Sequence, residues 1–176
     1  MPAISRFLAL FSLLFALSAQ AAGYIDPLDR LSFTVPSGWK VRSSRVDGVR
    51  TLRVVPPKAD ERERAAISVE IRKRRLRRGE TLESLAERFR KADGDREPAS
   101  LVRLAPTAGR LTVAYREGQF VSDSLWIMRR NLQVFLLTGR RDVIEARCAA
   151  NASEYATYRR SLESVCLSLV VLKGRS

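Results

Sequence analysis

The chain has 176 residues, enough for one domain with a real hydrophobic core, and contains no histidine. Its 32 basic and 19 acidic residues give a formal charge of +13, and 27 of the bases are arginine. Without histidine, a Ser-His-Asp or Cys-His catalytic pair and any His-ligated zinc are excluded.

The first predicted element is a leader. Arg6 supplies a positive end, Phe7 to Ala19 an apolar run, and Ala19-Gln20-Ala21 a small-x-small cleavage site. The run of about 13 apolar residues falls short of the roughly 20 that span a bilayer, so a cleaved secretory signal over 1–21 is expected rather than an anchor. No cysteine lies at that site to receive a lipid, and no later segment is apolar enough to cross a membrane. These features predict a periplasmic protein that is not a lipoprotein, with an exposed lead-in over 22–30, one domain over 31–172 and a polar tail over 173–176. Removal of the leader takes one arginine and no acid, leaving a charge of +12.

Leu31, Phe33 and Val35 alternate with polar residues as in a half-buried strand, and Pro36-Ser37-Gly38 turns the chain. Trp39 and Val41 continue beyond the turn. Asp47-Gly48 is a strong hairpin signal leading into a strand over Val49–Val55. Residues 58–65, KADERERA, form a charged, solvated loop. Ile67, Val69 and Ile71 then alternate with Ser68, Glu70 and Arg72. After Gly79, Thr81 caps a helix whose apolar residues Leu82, Leu85, Ala86 and Phe89 fall on one face, with Glu83 in its first turn.

Asp93, Asp95 and Glu97 do not make a calcium loop, because Leu104 stands where an EF-hand needs its bidentate Glu. Five strands follow, over Leu101–Ala105, Leu111–Arg116, Ser122–Met128, Leu132–Thr138 and Val143–Ala149. Pro106, Gly109, Gly118, Asn131 and Gly139 are the breaks between them, and the short connections favour antiparallel neighbours. Val134-Phe135-Leu136-Leu137 and Leu125-Trp126-Ile127-Met128 are apolar without alternation, which predicts strands covered on both faces. A last helix runs from Ser153, its expected cap, to about Leu169. The pattern defines an α+β domain, an antiparallel β-sheet covered by helices in an α/β/α sandwich.

Cys148 and Cys166 admit two readings. An oxidising compartment favours a disulfide. Against it, Cys166 lies some 13 residues into a helix that follows the strand of Cys148, about 20 Å from the helix start, whereas a bridge needs Cα atoms within roughly 7 Å. Two packed free thiols are the alternative.

The tract Arg72-Lys73-Arg74-Arg75-Leu76-Arg77-Arg78 is the most distinctive feature of the chain. Along an extended strand Arg72, Arg74 and Leu76 point one way, and Lys73, Arg75 and Arg77 the other. It reads either as a strand end guarded by charge against aggregation or as an anion-recognising rim. In the second case Arg129, Arg130, Arg140 and Arg141 extend it from neighbouring hairpin turns. Guanidinium groups take carboxylates and phosphates bidentately, so an acidic protein surface, anionic lipid headgroups and anionic glycan all fit. Export argues against nucleic acid.

Phe33-Thr34-Val35-Pro36-Ser37-Gly38-Trp39 resembles the hairpin that begins many PsbP-like domains. Gly79-Glu80-Thr81-Leu82-Glu83-Ser84-Leu85 looks like their strand-to-helix step, and Ser161-Leu162-Glu163-Ser164-Val165 is similar to their C-terminal helix. The resemblance covers almost all of 31–172. It implies an antiparallel sheet between helices, in a fold that mostly supports binding. Exported bacterial members include immunity proteins against type VI secretion toxins, and related cytoplasmic ones act as effector chaperones. No residue here maps onto a metal or catalytic site of that family. There is no Gly-x-Ser-x-Gly elbow, phosphate-cradling loop or CxxC pair either. The expectation is a protein without cofactor or catalytic activity that binds an acidic protein partner, such as a toxin. An envelope-binding module recognising anionic lipid or cell-wall glycan is the alternative.

Overall fold

The computed structural model describes residues 21–57, 66–122 and 125–172. The leader as far as residue 20, the charged segment 58–65 and the tail 173–176 lie outside the described residues. Strands β1 (Ala22–Asp26), β2 (Leu31–Val35), β3 (Lys40–Val46), β4 (Val49–Val55) and β5 (Ile67–Arg75) precede helix α1 (Leu82–Phe89). Then come β6 (Leu101–Ala105), a 3-10 turn over Pro106–Ala108, β7 (Arg110–Ser122), β8 (Leu125–Leu137), β9 (Asp142–Asn151), helix α2 (Tyr155–Ser168) and β10 (Val170–Val171). The main sheet has seven antiparallel strands in the order β3-β4-β5-β9-β8-β7-β6, and a small one runs β1-β2-β10.

Period-two alternation decides which side chains meet. Ile67, Val69 and Ile71 of β5 join Ile144, Ala146 and Cys148 of β9 on one face of the main sheet. Leu162, Val165 and Leu169 at the C-terminal helix and Leu31, Phe33 and Val35 of β2 close over them. On the opposite face Leu111, Val113, Tyr115, Phe135 and Val143 pack under Leu82, Leu85, Ala86 and Phe89 of α1. Of the two unbroken apolar runs in β8, the one at Val134 to Leu136 is covered on both sides, with Val134 turned to one helix and Phe135 to the other. The other is not, since Leu125 and Trp126 are 54% and 41% exposed. Asp47 and Gly48 both take positive φ, as a two-residue hairpin between β3 and β4 requires. Thr81 caps α1 in a reciprocal pair with Ser84.

The structure corrects three expectations and decides between the two readings of the cysteines. The lead-in over 22–30 is not exposed chain throughout: β1 pairs along the whole of β2. Its end is tied to the main sheet by Asp26, which is buried and takes a bidentate grip from Arg50 at 2.7 and 2.9 Å. Local sequence carries little strand signal there, and the tie comes from a residue 24 positions away. Second, Gly118 and Asn131 do not break strands. Both lie inside one long hairpin of β7 and β8. A Cβ on Gly118 would stand 1.9 Å from Cζ2 of Trp126, so the glycine makes room for an indole lying across the neighbouring strand. Asn131 is buried, and its Oδ1 accepts from Arg147 Nε at 2.8 Å. Third, Ser153 is not the cap of the last helix; Glu154 occupies that position and makes no side-chain cap bond.

Of the two cysteine readings the disulfide holds: Cys148 and Cys166 are bridged, with Cα atoms 6.3 Å apart. The distance of about 20 Å from the helix start to Cys166 runs along the helix axis. After Asn151 the chain turns back and α2 lies over β9 and β8, so the helix length is retraced across the face that holds Cys148.

Two carboxylates bind the fold to pH. The Arg50 guanidinium holds Asp26 below its ordinary value of 3.8. Burial pushes Glu80 up, but the Arg77 N–H and the guanidinium groups of Arg74 and Arg88 outweigh it and hold the group below 4.5. In each case the unfolded chain binds its proton first, so the contribution is complete above these ordinary values and disappears as pH falls through the depressed folded ones. Urea unfolding should therefore give a flat stability between pH 7 and about 5.5 and a decline below about 4.5. Asp26→Asn should make that acid limb shallower while lowering stability at pH 7 by about 2 kcal/mol.

Candidate functional site

The basic tract emerges at one end of the main sheet. Arg75, the last residue of β5, stands opposite Asp142, the first of β9. The turn between β8 and β9 therefore brings Arg140 and Arg141 beside the tract. Leu76 N–H donates to the Arg141 carbonyl at 2.7 Å, and Arg141 Nη2 donates back to the Leu76 carbonyl at 2.7 Å. These bonds extend the pairing past the strand end, while Leu76 is buried against α1. Gly79 turns the chain with φ +78°, in the left-handed region, and Thr81 starts the helix.

The cations at this end fall into two sets. Arg72 and Arg74 face the α1 side and share Glu145, at 3.5 and 3.0 Å. Arg74 also pairs with Glu80 at 3.1 Å and lies 5.6 Å over the Phe135 ring. Glu80 further takes Arg88 at 3.2 Å and the Arg77 backbone N–H at 3.1 Å. Glu145 also accepts from Gln133, which in turn takes the Tyr115 hydroxyl at 2.9 Å. Burial pushes that phenol up to about 12. This network is internal. Lys73, Arg75, Arg77, Arg78 and Arg140 are exposed, and no carboxylate among the described residues lies within ion-pair distance of them. Both strongly held acids of this end, Glu80 and Glu145, are turned inward.

Arg129 and Arg130 do not belong to the rim. They sit within β8, not at a turn, in register with Asn151 and Ala150, whereas Arg74 is in register with Val143 and through it Leu137. Seven residues of strand put Arg130 about 24 Å from the tract. Arg129 is buried, and its Nη2 donates to Ser68 Oγ at 3.0 Å. Arg130 stacks over Tyr155 with its guanidinium 5.5 Å from the ring centre. Asn131, read as a turn residue, had suggested a hairpin end nearby.

Beside the unpaired cations, on the α2 side of the sheet, an open cavity of about 700 Å³ reaches Lys73 and Asp142. Leu28, Leu137 and Val170 line it and are 75%, 40% and 48% exposed. Asp29, Arg30 and Arg110 share the lining, so the recess is of mixed character. A charged margin with such a recess at its edge suits recognition of a protein surface: the charges orient the encounter and the apolar part of the recess takes an anchor. Among the described residues no three acidic or sulfur side chains gather in a metal-holding group, and no helix is long and apolar enough to cross a membrane.

No family model matches this chain, and no curated protein matches its sequence. Solved structures resemble it at low identity. The Ran-binding protein Mog1p of Saccharomyces cerevisiae is 12% identical, covers 89% of this chain and 97% of its own, and gives a TM-score of 0.53. Cyanobacterial PsbP (CyanoP) from Synechocystis sp. PCC 6803 is 19% identical over 92% of this chain and 98% of that one, with a TM-score of 0.48. LpqN, involved in cell envelope biogenesis of Mycobacterium tuberculosis, is 12% identical over 88% and 91%, with a TM-score of 0.47. What is shared is the fold, and the Mog1p likeness carries it. The chain is a mixed α+β protein built as a PsbP-like domain is expected to be, with an antiparallel sheet between helices.

Proposed function

We propose that this chain is an exported, non-catalytic binding protein that grips an acidic protein partner with the arginine end of its main sheet. It neutralises or escorts that partner as an immunity protein does, and a type VI secretion toxin is the specific partner proposed. One observation carries the reading: five exposed cations, none within ion-pair distance of a carboxylate among the described residues, stand together, while Glu80 and Glu145 of the same end hold other arginines inside the fold. Guarding the last residues of β5, which pair with β9 alone beyond Arg72, takes one or two such charges. The recess beside them, part apolar and part polar, supports docking of a protein. The Cys148–Cys166 bridge supports an oxidising compartment, in keeping with the leader, and the PsbP-like resemblance supports the immunity role.

The test is capture of the partner from the native periplasm on the tagged protein at stepped salt. An acidic protein should be retained in near-stoichiometric amount at 0.1 M and released as salt shortens the Debye length from about 10 Å toward 3 Å. If no protein is retained and the chain instead sediments with phosphatidylglycerol vesicles, the partner is the envelope and the proposal fails.

A further inference from the structure

The face of the main sheet that carries α2 is only half covered. The helix lies over β9 and β8, and β2 packs against the helix, leaving β6 and β7 open on this side. The open half is a groove of about 840 Å³, bounded by the flank of α2 and floored by Thr112, Ala114 and Leu132. Its lining includes five arginines, Arg103, Arg110, Arg116, Arg130 and Arg159, and a single carboxylate, Glu163.

The five are not equivalent. Arg110 is fixed by the helix end: its Nη atoms donate to the carbonyls of Cys166, Leu167 and Leu169 at 2.9–3.3 Å. Arg159 holds Glu163 at 2.8 Å, which accounts for the one acid. Arg103 has no acidic neighbour among the described residues, and Arg116 reaches only the exposed Glu97 at 3.7 Å. Arg116 and Arg130 stand directly opposite each other on neighbouring strands and on the same face. Their Cβ atoms are then about 5 Å apart, and like charges so placed repel. Within the fold Arg116 meets the exposed Glu97 and Arg130 the Tyr155 ring; a carboxylate bound between the two would offset their repulsion.

We infer that this groove is a second binding site, and that its occupant is an acidic peptide segment of a protein partner, carboxylates against Arg103, Arg116 and Arg130 and small apolar side chains on Ala114, Leu132 and Leu167. The site rests on the reading of the protein as a binder of acidic proteins, but it uses none of the rim residues. Charge complementarity requires an anion. Tyr155, the aromatic residue in the groove besides the buried Tyr115, is already covered by Arg130, so no free ring remains on which a nucleic-acid base would stack. The volume lies in the range that encloses a ligand of drug size or a short stretch of polypeptide.

The probe is a fluorescein-labelled dodecapeptide of alternating Glu and Ala, with its Gln/Ala counterpart as control. Anisotropy is read on the purified, disulfide-bonded protein carrying Lys73→Gln, Arg75→Gln, Arg77→Gln, Arg78→Gln and Arg140→Gln, so that the rim is silent. The Glu peptide should bind and the Gln peptide should not. Adding Arg116→Gln with Arg130→Gln should weaken binding at least tenfold. Leu167→Glu, at a position 47% exposed and so tolerant of charge, should weaken it about fivefold or more. Equal binding with and without these changes, in proteins whose melting temperatures agree, overturns the site. So does tighter binding of a single-stranded oligonucleotide or phosphatidylglycerol vesicles than of the peptide. If the periplasmic partner is captured through the rim while the groove variants bind it unchanged, the groove inference alone is lost. A groove that binds the peptide in a protein that captures no partner would leave the groove and remove the proposed function.

Discussion

Removal of the Cys148–Cys166 bridge, by reduction or by Cys148→Ala with Cys166→Ala, is expected to lower the unfolding free energy by about 3 kcal/mol. The bridge spans 18 residues, and closing a loop of that length removes about 3 kcal/mol of chain entropy from the unfolded ensemble. Both side chains are fully buried, within the core formed by β5, β8, β9 and α2, so the linkage also clamps the helix to the sheet. For a domain of this size the loss corresponds to a fall in melting temperature of roughly 6–12 °C. Calorimetry with and without reductant measures it, and equal melting temperatures would mean that α2 is held by packing alone.

The second large effect is expected at Glu145. Its carboxylate is about nine-tenths buried in the middle of the sheet and serves Arg72, Arg74 and Gln133 together. Glu145→Ala leaves Arg74 with Glu80 alone and strips Gln133 of its acceptor while Gln133 still holds the Tyr115 hydroxyl. Breaking a buried ion pair from one side typically costs about 3–5 kcal/mol, and the partial exposure of Arg72 and Arg74 places the loss at the lower end, about 3 kcal/mol in urea unfolding. Arg75→Ala, one residue from Arg74 but unpaired, should change stability by no more than about 0.5 kcal/mol. A comparable loss from both variants would remove the distinction between engaged and free arginines.

That distinction is where reading by sequence alone reaches its limit. The alternation of Ile67, Val69 and Ile71, the Asp47-Gly48 turn and the Thr81 cap are local signals, and each appears in the fold as its own chemistry dictates. The continuous run at Val134 to Leu136 likewise announced a sheet with both faces covered. Other features depend on partners far along the chain. Gly118 is a glycine because of Trp126, and Asn131 lies inside a strand because Arg147 takes its oxygen. The arginine tract presents Arg74 and Arg75 as neighbours of equal standing. Glu145, some seventy positions later, engages the first and leaves the second facing solvent. Arg103 and Arg116 look like ordinary outward residues of half-buried strands until the path of α2 decides which strands stay uncovered.

The same partition supplies the decisive measurement for the binding role. Partner captured from the periplasm is titrated onto two proteins, the unaltered chain and one carrying Lys73→Gln, Arg75→Gln, Arg77→Gln, Arg78→Gln and Arg140→Gln. All five side chains lie outside the internal network, and the Arg77 backbone N–H that Glu80 accepts is kept in glutamine, so melting temperatures should agree within a few degrees. Affinity should fall at least a hundredfold, with most of the salt dependence lost. Unchanged affinity in the substituted protein would show that the free cations at the sheet end do not hold the partner.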